Sequence, residues 1–373
     1  MKTNKLRIFT KRFFLYLNVA VVFFFLLACL VPYLNPQRWW FISFLGLAFP
    51  FLLVAVLFFM IGWLVILKPR FALISGIPLL ISFKSIGVFF AFHRPELFEY
   101  KKESNSIRVA TWNVARFIEL KRNNNSGSQV RLKMLEQIKK QDADILCLQE
   151  FHTSIDTSYY NNIKAVKELG YPYFYFSFDE DGDKHYYSSI IFSRFPVIDS
   201  GLVRYPRPTL PDALIHADIL VNKDTIRVYT THLQSLQFSK NDYRSLHEIK
   251  NVDDSLLSNS RTIFSKLKRG VSYRSIQAGI IKDVLANSPH PVIFCADLND
   301  VPNSYAYFTV RNGMQDAFLK KGFGIGRTFS GISPTLRIDY IFADDQFRIK
   351  QFGRIVKKLS DHYMLLADVE LKK

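Results

Sequence analysis

Between Phe13 and Phe92 the chain carries only four charged residues, Arg38, Lys68, Arg70 and Lys84. A segment so long and so poor in charge cannot cover a water-facing surface, so it does not fold as a soluble unit and belongs in a bilayer. The whole-chain figures, 49% hydrophobic and 22% charged, would suit an ordinary globular protein; they average two parts that face different solvents. Beyond residue 100 there remain 39 Lys and Arg against 30 Asp and Glu, a balance of +9 over a stretch long enough to bury a full core. That balance admits nucleic acid, lipid headgroups, or mere proximity to an anionic membrane, and does not choose among them.

Three apolar runs emerge, residues 13–31, 39–67 and 71–92, and at 1.5 Å per residue each reaches across about 30 Å of hydrocarbon. They predict three transmembrane helices. The second run is longer than a span needs, and Pro50 inside it predicts a kink or tilt. Trp39 and Trp40 mark an interface. Lys2, Lys5, Arg7, Lys11 and Arg12 precede the first run, which predicts a cytoplasmic N-terminus. Three spans then place everything after residue 92 outside the cytoplasm, as a multi-pass protein of the cell inner membrane. Lys84 within the third run is the feature that fits a span least, and a re-entrant or loosely inserted segment is the other reading. Leu26-Leu27-Ala28-Cys29 resembles a lipoprotein cleavage box, but a second apolar run follows within ten residues where a lipoprotein would continue as a polar tether.

Residues 93–106 are polar, carry a Pro, and read as a linker to a domain spanning 107–373. There, short apolar strands alternate with helices: strands over 107–113, 144–149, 188–193, 214–221, 225–231, 291–297, 338–343 and 364–371, and helices over 128–140 (capped by Ser128) and 274–287. Mixed hairpins and crossovers of this kind predict an α+β or α/β sandwich. Cys147 and Cys295 lie in apolar runs without CxxC spacing and are read as core, not as metal or disulfide partners.

Polar residues sit where these strands end, and a buried strand that stops in a carboxylate or amide holds that group at a rim in a fixed position. Asn113, Glu150, His232, Asp297 and Asn299 close strands, Asp339 opens one, and Asp361-His362 precedes the last. Carboxylates, neutral amides and two histidines without a cysteine cluster suit a hard divalent cation, Mg2+ or Mn2+, bound through oxygen. Singly, each has an ordinary explanation as a turn former, a solvated strand end or a satisfied core histidine.

Their succession is more specific. Thr111-Trp112-Asn113, Leu148-Gln149-Glu150, Ser193-Arg194-Phe195-Pro196, Thr231-His232-Leu233, Ala296-Asp297-Leu298-Asn299-Asp300, Arg337-Ile338-Asp339-Tyr340-Ile341 and Ser360-Asp361-His362 follow one another in this order, and the series resembles the endonuclease/exonuclease/phosphatase (DNase I-like) superfamily of metal-dependent phosphodiesterases. The resemblance implies a four-layered α/β/β/α sandwich over residues 107–373. It implies Glu150 as principal metal ligand with Asn113 beside it and Asp361 supporting, Asp297 positioning or deprotonating the attacking water, Asn299 and His232 on the phosphoryl oxygens, and His362 as acid/base or charge stabiliser oriented by Asp339. Repair enzymes resembling exonuclease III carry an acid two residues after the strand-end Asn, whereas Ala115 stands here, which argues against a DNA-repair role.

Between His232 and Arg274 lies a long insertion whose Arg261, Lys266, Lys268, Arg269 and Arg274 form a candidate polyanion-binding or headgroup-binding segment; a solvated basic helix face is its ordinary reading. The sequence thus predicts a membrane-anchored, divalent-metal-dependent phosphodiesterase acting on nucleic acid, with phospholipid or sphingolipid as the alternative substrate and an inactive membrane scaffold as the third reading. No obligate protein partner is evident.

Overall fold

In a computed structural model of the full chain, the described residues are 2–94, 97–103, 105–122, 129–209, 212–236, 255–331 and 333–372, with the side chains of 2–4 and 255–262 left out. Ser128, the expected cap, lies outside the described residues.

The apolar first quarter forms α1 (Lys2–Leu30), α2 (Pro36–Val65), α3 (Pro69–Ile81) and α4 (Phe83–Phe89). Two of these, α1 and α2, are long and apolar enough to cross a bilayer. The third expected helix, a single span over 71–92, needs correction: α3 and α4 meet at Ser82 with a 66° bend. Pro78 lacks the N–H that would extend the α3 ladder, and Ser82 leaves helical geometry at φ −92°, ψ 14°. After α4 the chain pairs as a short strand, β1 (Ala91–Phe92), with residues Phe323–Gly324 of the downstream domain.

That domain contains β2 (Ile107–Asn113), β3 (Ile145–Ser154), β4 (Tyr173–Phe176), β5 (His185–Ser193), β6 (Val197–Arg204), β7 (Ala213–Val221), β8 (Asp224–His232), β9 (Val292–Asp297), β10 (Gln315–Asp316), β11 (Phe323–Gly324), β12 (Asp339–Ala343), β13 (Phe347–Ile355) and β14 (Met364–Leu371). Two six-stranded sheets result, in the orders β13-β14-β2-β3-β5-β4 and β10-β12-β9-β8-β7-β6. Strand alternation sorts side chains between layers. From β2, Ile107 and Val109 enter the core between the sheets with Ile145, Cys147, Ile215, Ile293 and Cys295, while Ala110 and Trp112 face outward onto Met134 and Ile138 of the helix Val130–Gln141. On the other outer face Tyr229, Phe294 and Ala296 pack under Ala278 and Ile281 of the long helix Ser255–Ala286. The expected four layers are present, and both cysteines are free and buried between the sheets.

The membrane helices and the sandwich are in contact. Trp40 and Phe44 near the start of α2 lie against Phe264, with ring centroids 5.3 and 5.1 Å apart, and the Lys268 ammonium sits 4.9 Å above the Trp40 ring. Val88 of α4 is buried in the outer core of the second sheet. The start of the second apolar run is therefore a docking face for the sandwich. Gly46 sits at the closest approach, where an added Cβ would stand 2.7 Å from the Asn303 carbonyl oxygen, whereas Gly62 has open space. Gly46→Ala is expected to cost about 1–3 kcal/mol by overpacking, lowering the thermal midpoint in detergent, with Gly62→Ala as the neutral control. Equal midpoints for the two variants would show that the close approach is not maintained.

Candidate active site

The strand ends converge because the pairing register requires it. Asp339 of β12 and His232 of β8 both pair across from Asp297 of β9, and Asn113 of β2 lies beside Gln149, one residue before Glu150. At Glu150 the β3–β5 ladder shifts register between Leu148 and Phe151, and the residue itself takes φ 49°. A left-handed backbone at a non-glycine residue is uncommon, and here it turns the carboxylate out of the pleat toward the other sheet. Asn299 shares the same conformation at φ 49°, and its backbone N–H donates to Asp297 Oδ1 at 2.9 Å.

Asn113 joins the two sheets. Its Nδ2 donates to Glu150 Oε1 at 3.1 Å and to Asp297 Oδ2 at 3.0 Å, while its Oδ1 accepts from the Ala115 N–H. Ser360 donates to the Asn113 carbonyl, so the last loop also holds this residue. His232 lies 3.6 Å from Glu150, 3.7 Å from Asp297 and, through Nδ1, 3.4 Å from Asp212. Asn299 Nδ2 stands 2.9 Å from His232 Nε2 and donates to the Leu233 carbonyl. His362 Nδ1 reaches both Asp339 oxygens at 3.0 Å and Asp297 Oδ2 at 3.7 Å, with the Phe329 ring edge-on against the imidazole.

The electrostatics follow from this crowding. Burial opposes a charged His232, but the Asp212, Asp297 and Glu150 carboxylates outweigh it and carry its pKa up to about 10. His362 rises to about 10 in the same way, against burial and under Asp339 and Asp297. Burial pushes Asp339 up to about 6 although the imidazolium works against that rise. The His362–Asp339 pair thus keeps its proton on the ring through neutral pH. Four carboxylates, those of Asp212, Glu150, Asp297 and Asp339, face two imidazoles. This residual negative charge, carried by hard oxygen donors, fits a divalent cation, and the Glu150 and Asp297 carboxylates meet on the Asn113 amide.

Of the sequence-predicted residues, Asn113, Glu150, His232, Asp297, Asn299, Asp339 and His362 are brought together. Asp361 is exposed and accepts a bond from the Ser360 hydroxyl instead of joining the cluster. The basic segment goes elsewhere: Arg274 is buried, bonded to Asp300 and the Gln234 carbonyl, and Lys268 covers Trp40. Lys266 and Arg269 lie on the same helix, and the side chain of Arg261 lies outside the described residues. Asp212 escaped the sequence reading. It immediately precedes β7. Tyr187 is a second neighbour, its phenol pushed up by burial and by Glu150, with the Arg116 guanidinium 4.1 Å over its ring.

Solved structures with a similar chain path include the endonuclease/exonuclease/phosphatase from Beutenbergia cavernae DSM 12333, 18% identical over 72% of this chain and 72% of that chain, with a TM-score of 0.50. The human Nocturnin catalytic domain with bound sulfate anion is 17% identical, over 72% of this chain and 94% of that chain, with a TM-score of 0.49. Humanized D. rerio TDP2 is 17% identical over 72% and 100%, with a TM-score of 0.47. At these identities the likeness speaks to the fold alone. No curated protein matches the chain. A family model described as a domain of unknown function matches residues 11–89. Residues 110–362 match the model of the Endonuclease/Exonuclease/phosphatase family, a span that contains every strand end of the cluster, and the chain belongs to that family.

Proposed function

We propose that this protein is a membrane-anchored phosphodiesterase that uses a divalent cation, Mg2+ or Mn2+, to hydrolyse phosphodiester bonds. The observation that carries the reading is the Asn113 bridge, which sets Glu150 and Asp297 from opposite sheets on one amide beside two protonated imidazoles. When bound, the cation neutralises charge on the phosphoryl group. Glu150 binds it, and Asn113 fixes that carboxylate and Asp297 relative to each other. Asp297 holds the attacking water and accepts its proton as the P–O bond to the leaving group breaks. His232 and Asn299 donate to non-bridging oxygens, and strengthen as charge gathers there. Asp339 orients the His362 ring, which presents its remaining N–H to the phosphate.

The substrate class expected from the sequence is nucleic acid. A second reading, a phospholipid headgroup, is favoured by one observation: the loop after Asn299 packs Val301, Pro302 and Asn303 against Gly46, Phe49 and Phe89, and Arg337, two residues before Asp339, donates to the Val88 carbonyl at 2.7 Å. The site's own loops are fastened to the membrane helices. The two readings separate when the purified full chain with Mg2+ is given DNA, RNA and phospholipid vesicles. A nuclease cleaves the polynucleotides with a steep salt dependence; headgroup release from vesicles without polynucleotide cleavage selects the lipid reading. Hydrolysis of neither class with any divalent cation would leave the inactive scaffold as the surviving interpretation.

A further inference from the structure

At the end of the membrane bundle away from the sandwich, the first turns of α1 and the last turns of α2 enclose a cavity of about 660 Å³. Its wall combines three cations, Arg7, Lys11 and Lys68, with the rings of Phe14, Phe58 and Trp63. No acidic residue occurs among the first 95 residues, which supply the whole wall of this cavity. The Lys11 ammonium is held 4.7 Å above the Phe71 ring, and that ring packs on Trp63 at 5.1 Å. Trp63 is 4% exposed, and its indole N–H is buried without an acceptor. A buried indole donor ordinarily finds a partner, and leaving it unmade costs desolvation.

We propose that this cavity binds one anionic glycerophospholipid of the N-terminal leaflet. The phosphate sits among Arg7, Lys11 and Lys68, and an acyl chain runs along Phe14 and Phe58 beside Trp63. Basic pockets between membrane helices suit anionic headgroups, whereas a zwitterionic lipid brings its own ammonium and gains little from three further cations. The apolar wall selects a lipid over a soluble phosphate, since only a lipid covers Phe14 and Phe58 while its charge rests above them. The site lies at the opposite end of α1 from Tyr33, which packs on Phe308 of the sandwich, so it is distinct from the phosphodiester-cleaving site and does not rest on that site's activity.

The test uses the full chain in vesicles containing brominated phosphatidylglycerol or brominated phosphatidylcholine at matched mole fraction, reading the tryptophan quenching that is lost in Trp63→Phe. Phosphatidylglycerol is expected to occupy the site with at least ~10-fold preference, since each cation near an anionic headgroup contributes about fivefold, and Arg7→Gln/Lys11→Gln/Lys68→Gln should abolish that preference while helical circular dichroism is retained. Native mass spectrometry of the same proteins gives a second readout, one retained phosphatidylglycerol on the wild type and none on the triple variant. Equal quenching by the two lipids in the wild type, or a preference that survives the triple substitution, would overturn the proposal.

Discussion

Asp297→Asn is expected to lower phosphodiester turnover by about a thousandfold or more, with the thermal midpoint of the protein close to that of the wild type. Asp297 is fully buried at the end of β9 and touches four residues of the cluster: it accepts from Asn113 Nδ2 and the Asn299 N–H, and lies within 3.7 Å of the His232 and His362 imidazoles. The amide is isosteric, so packing survives, but it neither accepts a proton from water nor offsets two imidazolium charges. Glu150→Gln and His362→Ala should fall by comparable factors for their own reasons, loss of the metal carboxylate and loss of the Asp339-oriented ring. Effects of groups acting as one unit do not add, so the double variant Asp297→Asn/His362→Ala should be scarcely worse than either single one. Chelation should remove activity and Mg2+ or Mn2+ restore it. Turnover that resists chelation, or an active His362→Ala protein, would sink the mechanism.

The second large effect concerns stability. Arg337 and Asp316 form a fully buried ion pair, 2.6 Å between Nη1 and Oδ2, and Asp316 also accepts from the Tyr307 hydroxyl at 2.8 Å. Burial works against the guanidinium, but Asp316 and the surrounding tyrosines hold it charged, well above its ordinary value. Arg337→Leu strands a buried carboxylate and leaves the Val88 carbonyl without its donor, a loss of about 3–5 kcal/mol. A drop in thermal midpoint well beyond that of a surface control such as Arg348→Leu is the expected result. The double variant Arg337→Leu/Asp316→Asn should recover much of the loss, because the amide removes the uncompensated charge while its oxygen still accepts from the Phe318 and Leu319 N–H groups. No recovery would mean that the Val88 contact, and not the ion pair, is what the arginine supplies.

Much of the sandwich was legible because its strands follow period two and end on chemistry. β2 alternates Val109 inward and Ala110 outward, and β8 and β9 stop at His232 and Asp297, so both the layers and the rim follow from local pattern. The break at Ser82 was only half legible: Pro78 and Lys84 fit one straight span poorly, but Arg337, which donates to the Val88 carbonyl of the bent segment, lies 249 residues away in sequence. The destination of Lys268 was hidden for the same reason: a basic helix face looks alike whether it meets polyanion or the face of Trp40. Asp212 was missed because one carboxylate before a strand carries no periodic signal, and only the register of β7 against β8 brings it beside His232.

The burial of Val88 in the outer core also bears on the order of synthesis. α4 leaves the ribosome before any strand of the sandwich except its own short extension, β1, and it supplies both an apolar side chain to that core and an acceptor to Arg337. The downstream sheets therefore condense with α4 already made and available as a wall of their outer core. A chain in which α4 does not reach that place would complete its sheets with Val88 missing from the outer core and the Arg337 Nη2 without its Val88 acceptor, though still paired with Asp316. The stability of the sandwich is thereby tied to a seven-residue helix outside it, so that a copy with α4 displaced is the less stable one and the better substrate for proteolysis.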